Sequence, residues 1–157
     1  MLKLKSSREQ VGVSRRIKES VDKAIKLDPG NDLAWYVLGR WHQGYADLSS
    51  VRRAMGEIIF GKLPDSSHED AARCFEKARE VNPRRLMHIV ELGIVYGKMG
   101  RPDEARRLIE KGLAMQNTEK DDPDVKERGR EALKSLRDSS PEVAEGERMT
   151  AAPPQSR

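Results

Sequence analysis

Few residues in this sequence are of types that do chemistry, and their spacing argues against most chemistries. Gly56-Glu57-Ile58-Ile59-Phe60-Gly61-Lys62 matches most of the phosphate-binding pattern G-x-x-x-x-G-K. The next residue is Leu63, where a hydroxyl must ligand magnesium, and no strand precedes the segment. Ile58-Ile59-Phe60 read as buried anchors. His42, His68 and His88 lack the paired spacing of a metal site. Cys74 falls on an apolar helix face between Ala71 and Phe75, the setting of a small buried residue. No Gly-x-Ser-x-Gly occurs, and no two of the 26 acids stand apart as a catalytic pair. We therefore expect no enzyme, no metal site and no cofactor. One charge feature remains. Residues 1–27 carry eight Lys and Arg against three acids, with Arg15, Arg16 and Lys18 as a basic patch. Such an excess suits an acidic partner, although a solvated helix face has the same composition.

The elements that must position these residues are helices. Ile17, Val21, Ala24, Ile25 and Leu27 recur at spacings of three and four, up to the stop at Asp28-Pro29-Gly30-Asn31. Asn31 or Asp32 caps the next helix, LAWYVLGRWHQGYADL. Leu48, Val51, Met55, Ile58 and Ile59 continue an apolar face to about Phe60, as an extension of that helix or a second short one, and Gly61 and Pro64 end it. Ser66 with Glu69 has the form of a capping box for a helix through Ala71, Phe75 and Ala78. Leu86–Glu119 then reads as helix, a Gly100-Arg101-Pro102 turn and a second helix. Leu92-Gly93 and Gly112 are its small crossing points. A helix–turn–helix unit of about 34 residues with this pattern of small and large positions is the tetratricopeptide pattern.

The same spacing recurs. Ala71, Phe75, Ala78 and Pro83 repeat Ile17, Val21, Ala24 and Pro29. Trp35 and Ala71 lie 36 positions apart, whereas the matching Ile89 and Ala105 lie 16 apart, so the middle unit carries about 20 extra residues. The first unit lacks an obvious upstream helix, which suggests a truncated repeat or an abbreviated cap. Asp121-Asp122-Pro123 opens a last helix through Val125, Ala132, Leu133 and Leu136. We expect an all-α, tetratricopeptide-like α-solenoid of antiparallel helix pairs, with an insertion in the middle repeat and a C-terminal capping helix. The divisions are a flexible basic N-terminus (1–13), the helical domain (14–137) and a disordered, proline-containing tail (138–157).

A solenoid of this kind offers its inner face, lined mainly by the first helix of each unit. In register these positions are Leu33, Tyr36, Val37, Arg40 and Gln43, then Met87, Val90, Glu91, Ile94 and Lys98. The mixture is apolar enough for a partner helix in a groove or for an acyl chain. The opposing reading places the insertion or the last helix over it and makes it core.

Composition agrees. At 157 residues one domain is expected, and 36% hydrophobic and 36% charged residues with only 4% aromatics suit thin helical layers. The single cysteine leaves no internal disulfide and fits a reducing compartment. No run is long and apolar enough for a transmembrane helix, and Met1-Leu2-Lys3-Leu4-Lys5 lacks a signal-peptide core. The expectation is a soluble intracellular chain.

Four segments carry a further likeness. Leu38-Gly39-Arg40-Trp41, Ala46-Asp47-Leu48-Ser49, Phe60-Gly61-Lys62-Leu63-Pro64 and His68-Glu69-Asp70-Ala71 resemble the regulator of microtubule dynamics family, over roughly residues 14–136. The resemblance implies a non-catalytic helical scaffold whose partners are tubulin and microtubules or a protein helix, with no nucleic acid. It implies a cytoplasmic location at microtubules and the spindle. The alternative it implies is phospholipid binding, transfer or tethering on the cytosolic face of mitochondria or the endoplasmic reticulum.

Overall fold

The computed structural model describes residues 7–139, which form seven α-helices and no strand. α1 (Ser7–Leu27) begins ahead of Ser14 and takes in Ser7–Val13. Residues 1–6 and the expected tail from 140 onward lie outside the described residues. Asp28 Oδ1 accepts from Gly30 N at 2.9 Å and closes the turn after α1. α2 (Asp32–Ala46) starts on Asn31, whose side chain accepts from Ala34 N at 3.0 Å, as the sequence predicts.

α3 (Ser50–Phe60) is a separate helix capped by Ser49, and Gly61 ends it at φ 78°, where a side chain would strain the backbone. The phosphate-loop look-alike is thus mostly helix and forms no anion cradle. α4 (His68–Val81) has a true capping box, one residue later than expected. Ser67, not Ser66, accepts from Asp70 N at 3.1 Å, and Asp70 returns the bond by accepting from Ser67 N at 3.0 Å. α5 (Leu86–Lys98) and α6 (Pro102–Ala114) flank Gly100 at φ 74°. α7 (Asp122–Asp138) closes the domain, its buried Asp122 carboxylate accepting from Thr118 N and Glu119 N at 2.7 and 2.8 Å.

Packing follows from where small residues allow close approach. α1 lies on α2, α2 on α4, α4 on α5, and α5 on both α6 and α7. At Gly39 of α2 a Cβ would come within 2.7 Å of the Phe75 ring of α4. At Gly93 of α5 it would meet Ile109 at 2.7 Å and the Ala105 carbonyl at 3.0 Å. At Gly112 of α6 it would run into Val90. The glycines at these crossings therefore set the interhelical distance. α5 is buried almost all round, with Leu86, Ile89, Val90, Leu92 and Val95 at the centre, whereas its neighbours keep one wet face.

α3 is the exception. It makes no more than marginal contact with any other helix. Val51, Met55, Ile58 and Ile59 form an outward apolar stripe, and Ile58, expected as a buried anchor, is 84% exposed. The segment is held instead by Leu63, buried against Gly56, and by Arg53, which donates to the carbonyls of Tyr45 (3.3 Å) and Pro64 (3.2 Å).

Candidate functional site

An open cavity of about 540 Å³ lies between α2, α5 and α7. Of the residues assigned from sequence to the inner face, Arg40, Gln43, Glu91, Ile94 and Lys98 line it. The others do not. Met87 and Val90 are core, because α7 lies across this part of α5 and brings Gly129 up to Val90. Tyr36 is half-buried between Phe75 and His88, with ring centroids 5.8 and 5.6 Å away. Leu33 and Val37 are exposed but stand outside the cavity. The apolar half of the expected groove is therefore largely packed core or lies apart. The surface that remains mixes charged walls with a small apolar floor.

α7, expected as a cap or as a cover over the inner face, supplies the second wall. Arg128, Glu131, Ala132, Ser135 and Leu136 complete the lining. At its centre stands Glu91, fully buried. Arg128 donates to Glu91 Oε1 from Nε at 3.0 Å and from Nη2 at 2.5 Å. Arg40 Nη1 lies 2.9 Å from Oε2, close enough for an ion pair but not aligned as a hydrogen bond. The cause is local: the helix LMHIVELGIVYGK places one acid among apolar residues, and a charge buried there needs cations from its neighbours. Burial works against the charge of Arg128, but its hydrogen bond and charge pairing with Glu91 outweigh that and hold it more firmly protonated. Burial, reinforced by Glu91, pushes the Tyr36 phenol above its ordinary range. On the rim Lys98 pairs with Asp47 at 3.5 Å, and Asp47 also meets His68 at 2.9 Å. The signal for Arg128 was present in the sequence: a lone acid in an apolar helix calls for an arginine elsewhere. Its position in the chain was not.

The histidines are spread over separate partners. His42 Nδ1 lies 3.1 Å from Ser66 Oγ, and His68 binds Asp47. His88, fully buried, bonds through Nε2 to Asp32 Oδ2 at 2.8 Å, where Asn82 (3.0 Å) and Arg85 (3.2 Å) also converge. Burial lowers the His88 pKa against the pull of Asp32, and the buried Nδ1 has no partner, which suits the neutral ring. Burial tends to raise the Asp32 pKa, but the His88 bond and Arg85 more than offset it, so the carboxyl sits below its usual range. Cys74 is buried against Val21, Ala34 and Leu38, and burial pushes its thiol up to about 11. In the basic patch, Arg15 and Arg16 are exposed on α1 with no acidic partner among the described residues. Lys18 is tied to Asp22 at 2.6 Å and lies 5.6 Å from the centre of the Trp41 ring.

Comparison with known proteins adds the family context. A family profile described as Regulator of microtubule dynamics protein 1-3 matches residues 1–137. Regulator of microtubule dynamics protein 1 of Mus musculus is 33% identical over 84 residues, 53% of this chain and 28% of that protein. Protein 2 of Bos taurus is 25% identical over 129 residues (82% and 32%), and protein 3 of Bos taurus 31% over 121 residues (73% and 26%). The chain thus spans a third or less of the curated relatives it matches. No helix among the described residues is long and apolar enough to cross a membrane.

Proposed function

Because the chain belongs to the regulator of microtubule dynamics family, we propose that it is a non-enzymatic, cytoplasmic scaffold that associates with microtubules, including those of the spindle, through protein–protein contact. In this reading α2 with α4 and α5 with α6 are tetratricopeptide-like pairs. α3 with its flanking loops is the insertion in the middle repeat, between α2 and α4, and α7 is the cap. The observation that carries the contact is the outer face of α1, where Arg15 and Arg16 stand exposed without an acidic partner among the described residues. Lys18 contributes less, since Asp22 already neutralises it. Exposed charges of this kind favour an acidic protein surface and are screened by salt.

The test is co-sedimentation of the purified chain with microtubules at low and moderate salt, with anionic vesicles floated in parallel. The expected result is pelleting that fades as salt rises and falls further in the Arg15→Glu/Arg16→Glu variant. Pelleting indifferent to both salt and the double substitution would remove the α1 contact. Flotation without pelleting would replace the microtubule reading by a membrane one.

A further inference from the structure

α3 is built the wrong way round for a helix that serves only the fold. Val51, Met55, Ile58 and Ile59 share one of its faces, and each is more than half exposed. The opposite face, with Arg53, Gly56 and the half-buried Phe60, is the one turned to the domain. Arg53 donates to the Tyr45 and Pro64 carbonyls, and Gly56 lies against Leu63. Burying the aliphatic face would stabilise the chain by removing it from water. The Ser49 cap and the inward contacts hold that face outward instead. A contiguous apolar stripe presented in this way marks an interaction surface.

Position and charge select what meets it. Tyr45 joins α3 to α1: its hydroxyl lies 2.8 Å from Ser14 Oγ, and its carbonyl accepts from Arg53 at 3.3 Å. Arg15 follows Ser14 and Arg52 precedes Arg53, so the stripe and the exposed arginines of both helices gather at one corner of the domain. The other charges there are largely paired: Lys18 with Asp22, Arg53 with Glu57 at 3.9 Å, and Lys62 with Asp65 at 3.4 Å. Arg15, Arg16 and Arg52 remain without an ion pair among the described residues, against Glu19 alone. A second copy would set these like charges against each other. The stripe is also short for a self-contact: four side chains on a helix about 16 Å long, where a stable interface takes roughly 20–30 residues a side. Helices that lie in a lipid surface carry Trp, Phe or Leu on the apolar face, and this stripe has none of them. An acidic protein surface suits both halves of the corner. Exposed arginines contribute little by themselves and are screened at moderate salt. A lasting contact adds an apolar centre to the polar rim.

We propose that the α3 stripe is the apolar centre of the microtubule contact, with Arg15, Arg16 and Arg52 as its rim. The inference rests on the microtubule reading above and adds the chemistry of the surface contacted: acids beside an apolar patch. The α1 arginines govern approach and salt dependence, and the α3 stripe governs how long the contact lasts.

The test is co-sedimentation of the full chain with microtubules over a salt series, for the parent, Ile58→Ser, Arg52→Gln and Leu27→Ser. Ile58→Ser should weaken binding about tenfold or more at every salt concentration, the scale of one lost aliphatic burial, and leave the salt slope unchanged. Arg52→Gln should flatten the slope. Leu27 is exposed as well but stands at the far end of α1, and Leu27→Ser should bind as the parent does. Helix content by circular dichroism should be the same in all four. If the parent pellets and Ile58→Ser pellets equally well, the α3 inference is overturned and the α1 contact stands. If the parent pellets at no salt concentration, the microtubule reading fails and takes this inference with it. The inference is also overturned if Ile58→Ser leaves pelleting intact but lowers flotation with phosphatidylserine vesicles. The same holds if it leaves pelleting intact but turns a self-associating chain into a monomer by analytical ultracentrifugation.

Discussion

Replacing Arg128 by Met tests the reading of Glu91 as a buried charge held by its neighbours. The substitution keeps most of the apolar volume and removes two hydrogen bonds, those from Nε and Nη2 to Glu91 Oε1. Breaking a buried ion pair from one side costs about 3–5 kcal/mol, because the remaining charge stays buried. Two features of this site reduce that figure. Arg40 remains 2.9 Å from the other carboxylate oxygen, and the Arg128 side chain is 38% exposed, so solvent already screens part of the interaction. We expect a loss of about 2 kcal/mol. In a chain of 157 residues that lowers the melting temperature by about 4–8 °C. Urea unfolding followed by far-UV circular dichroism gives the loss as a lower midpoint at unchanged slope. The companion variant replaces the whole cluster, as Arg40→Met/Glu91→Leu/Arg128→Met. With no charge left to bury, it should return to within about 1 kcal/mol of the parent or exceed it. A loss under about 0.5 kcal/mol in Arg128→Met, or a triple variant less stable than the single one, would refute the argument.

Gly112→Ala puts a methyl group into Val90, where neither helix can give way cheaply, and should cost about 1–3 kcal/mol. Gly44→Ala, with open space around it, should instead gain about 0.5–1 kcal/mol of helix stability, and urea midpoints of the two variants compare them directly. Stability should also depend on pH. Burial depresses the pKa values of His88 and His42, so the unfolded chain takes up their protons first. The stabilising contribution of the neutral rings is therefore full above the unfolded pKa of about 6.5 and is lost as pH falls below it. A His42→Gln/His88→Gln variant should show a flatter dependence between pH 7.5 and 5.5, and an unchanged slope would contradict the assignment. Cys74, with its thiol pushed up to about 11, should react with a disulfide reagent at pH 8 only after urea unfolds the chain.

How far the sequence carried the fold depends on what kind of information each feature needs. The helices and the crossings at Gly93 and Gly112 were legible because they rest on local spacing: these glycines announce close contact by lacking a side chain. Cap positions were legible to within one residue. Ser66 and Ser67 are chemically alike; Ser67 has the extended backbone of a cap, while the Ser66 hydroxyl lies 3.1 Å from His42 Nδ1. The inner face was legible as a register but not as a surface. Whether Val90 is groove or core depends on where α7 comes to rest, and that is a long-range fact with no local signature. α3 misled for the opposite reason. Its apolar spacing is as regular as that of any core helix, and regular spacing says only that one face is apolar, not that a neighbour covers it.

The excursion through α3 has a consequence for the domain's architecture as an assembly of parts. Arg53 touches the carbonyls of both Tyr45 and Pro64, so the detour leaves and rejoins the domain within the span of one side chain. Everything that holds α2 to α4 lies outside the detour: the Gly39–Phe75 crossing, and the packing of Cys74 on Ala34 and Leu38. A backbone cut within α3 therefore severs no contact of the core. The two pieces, one ending after α2 and the other beginning before α4, carry complementary halves of one interface. The domain is in this sense two halves joined by a clasp, and the clasp lies outside the contacts that hold α2 to α4.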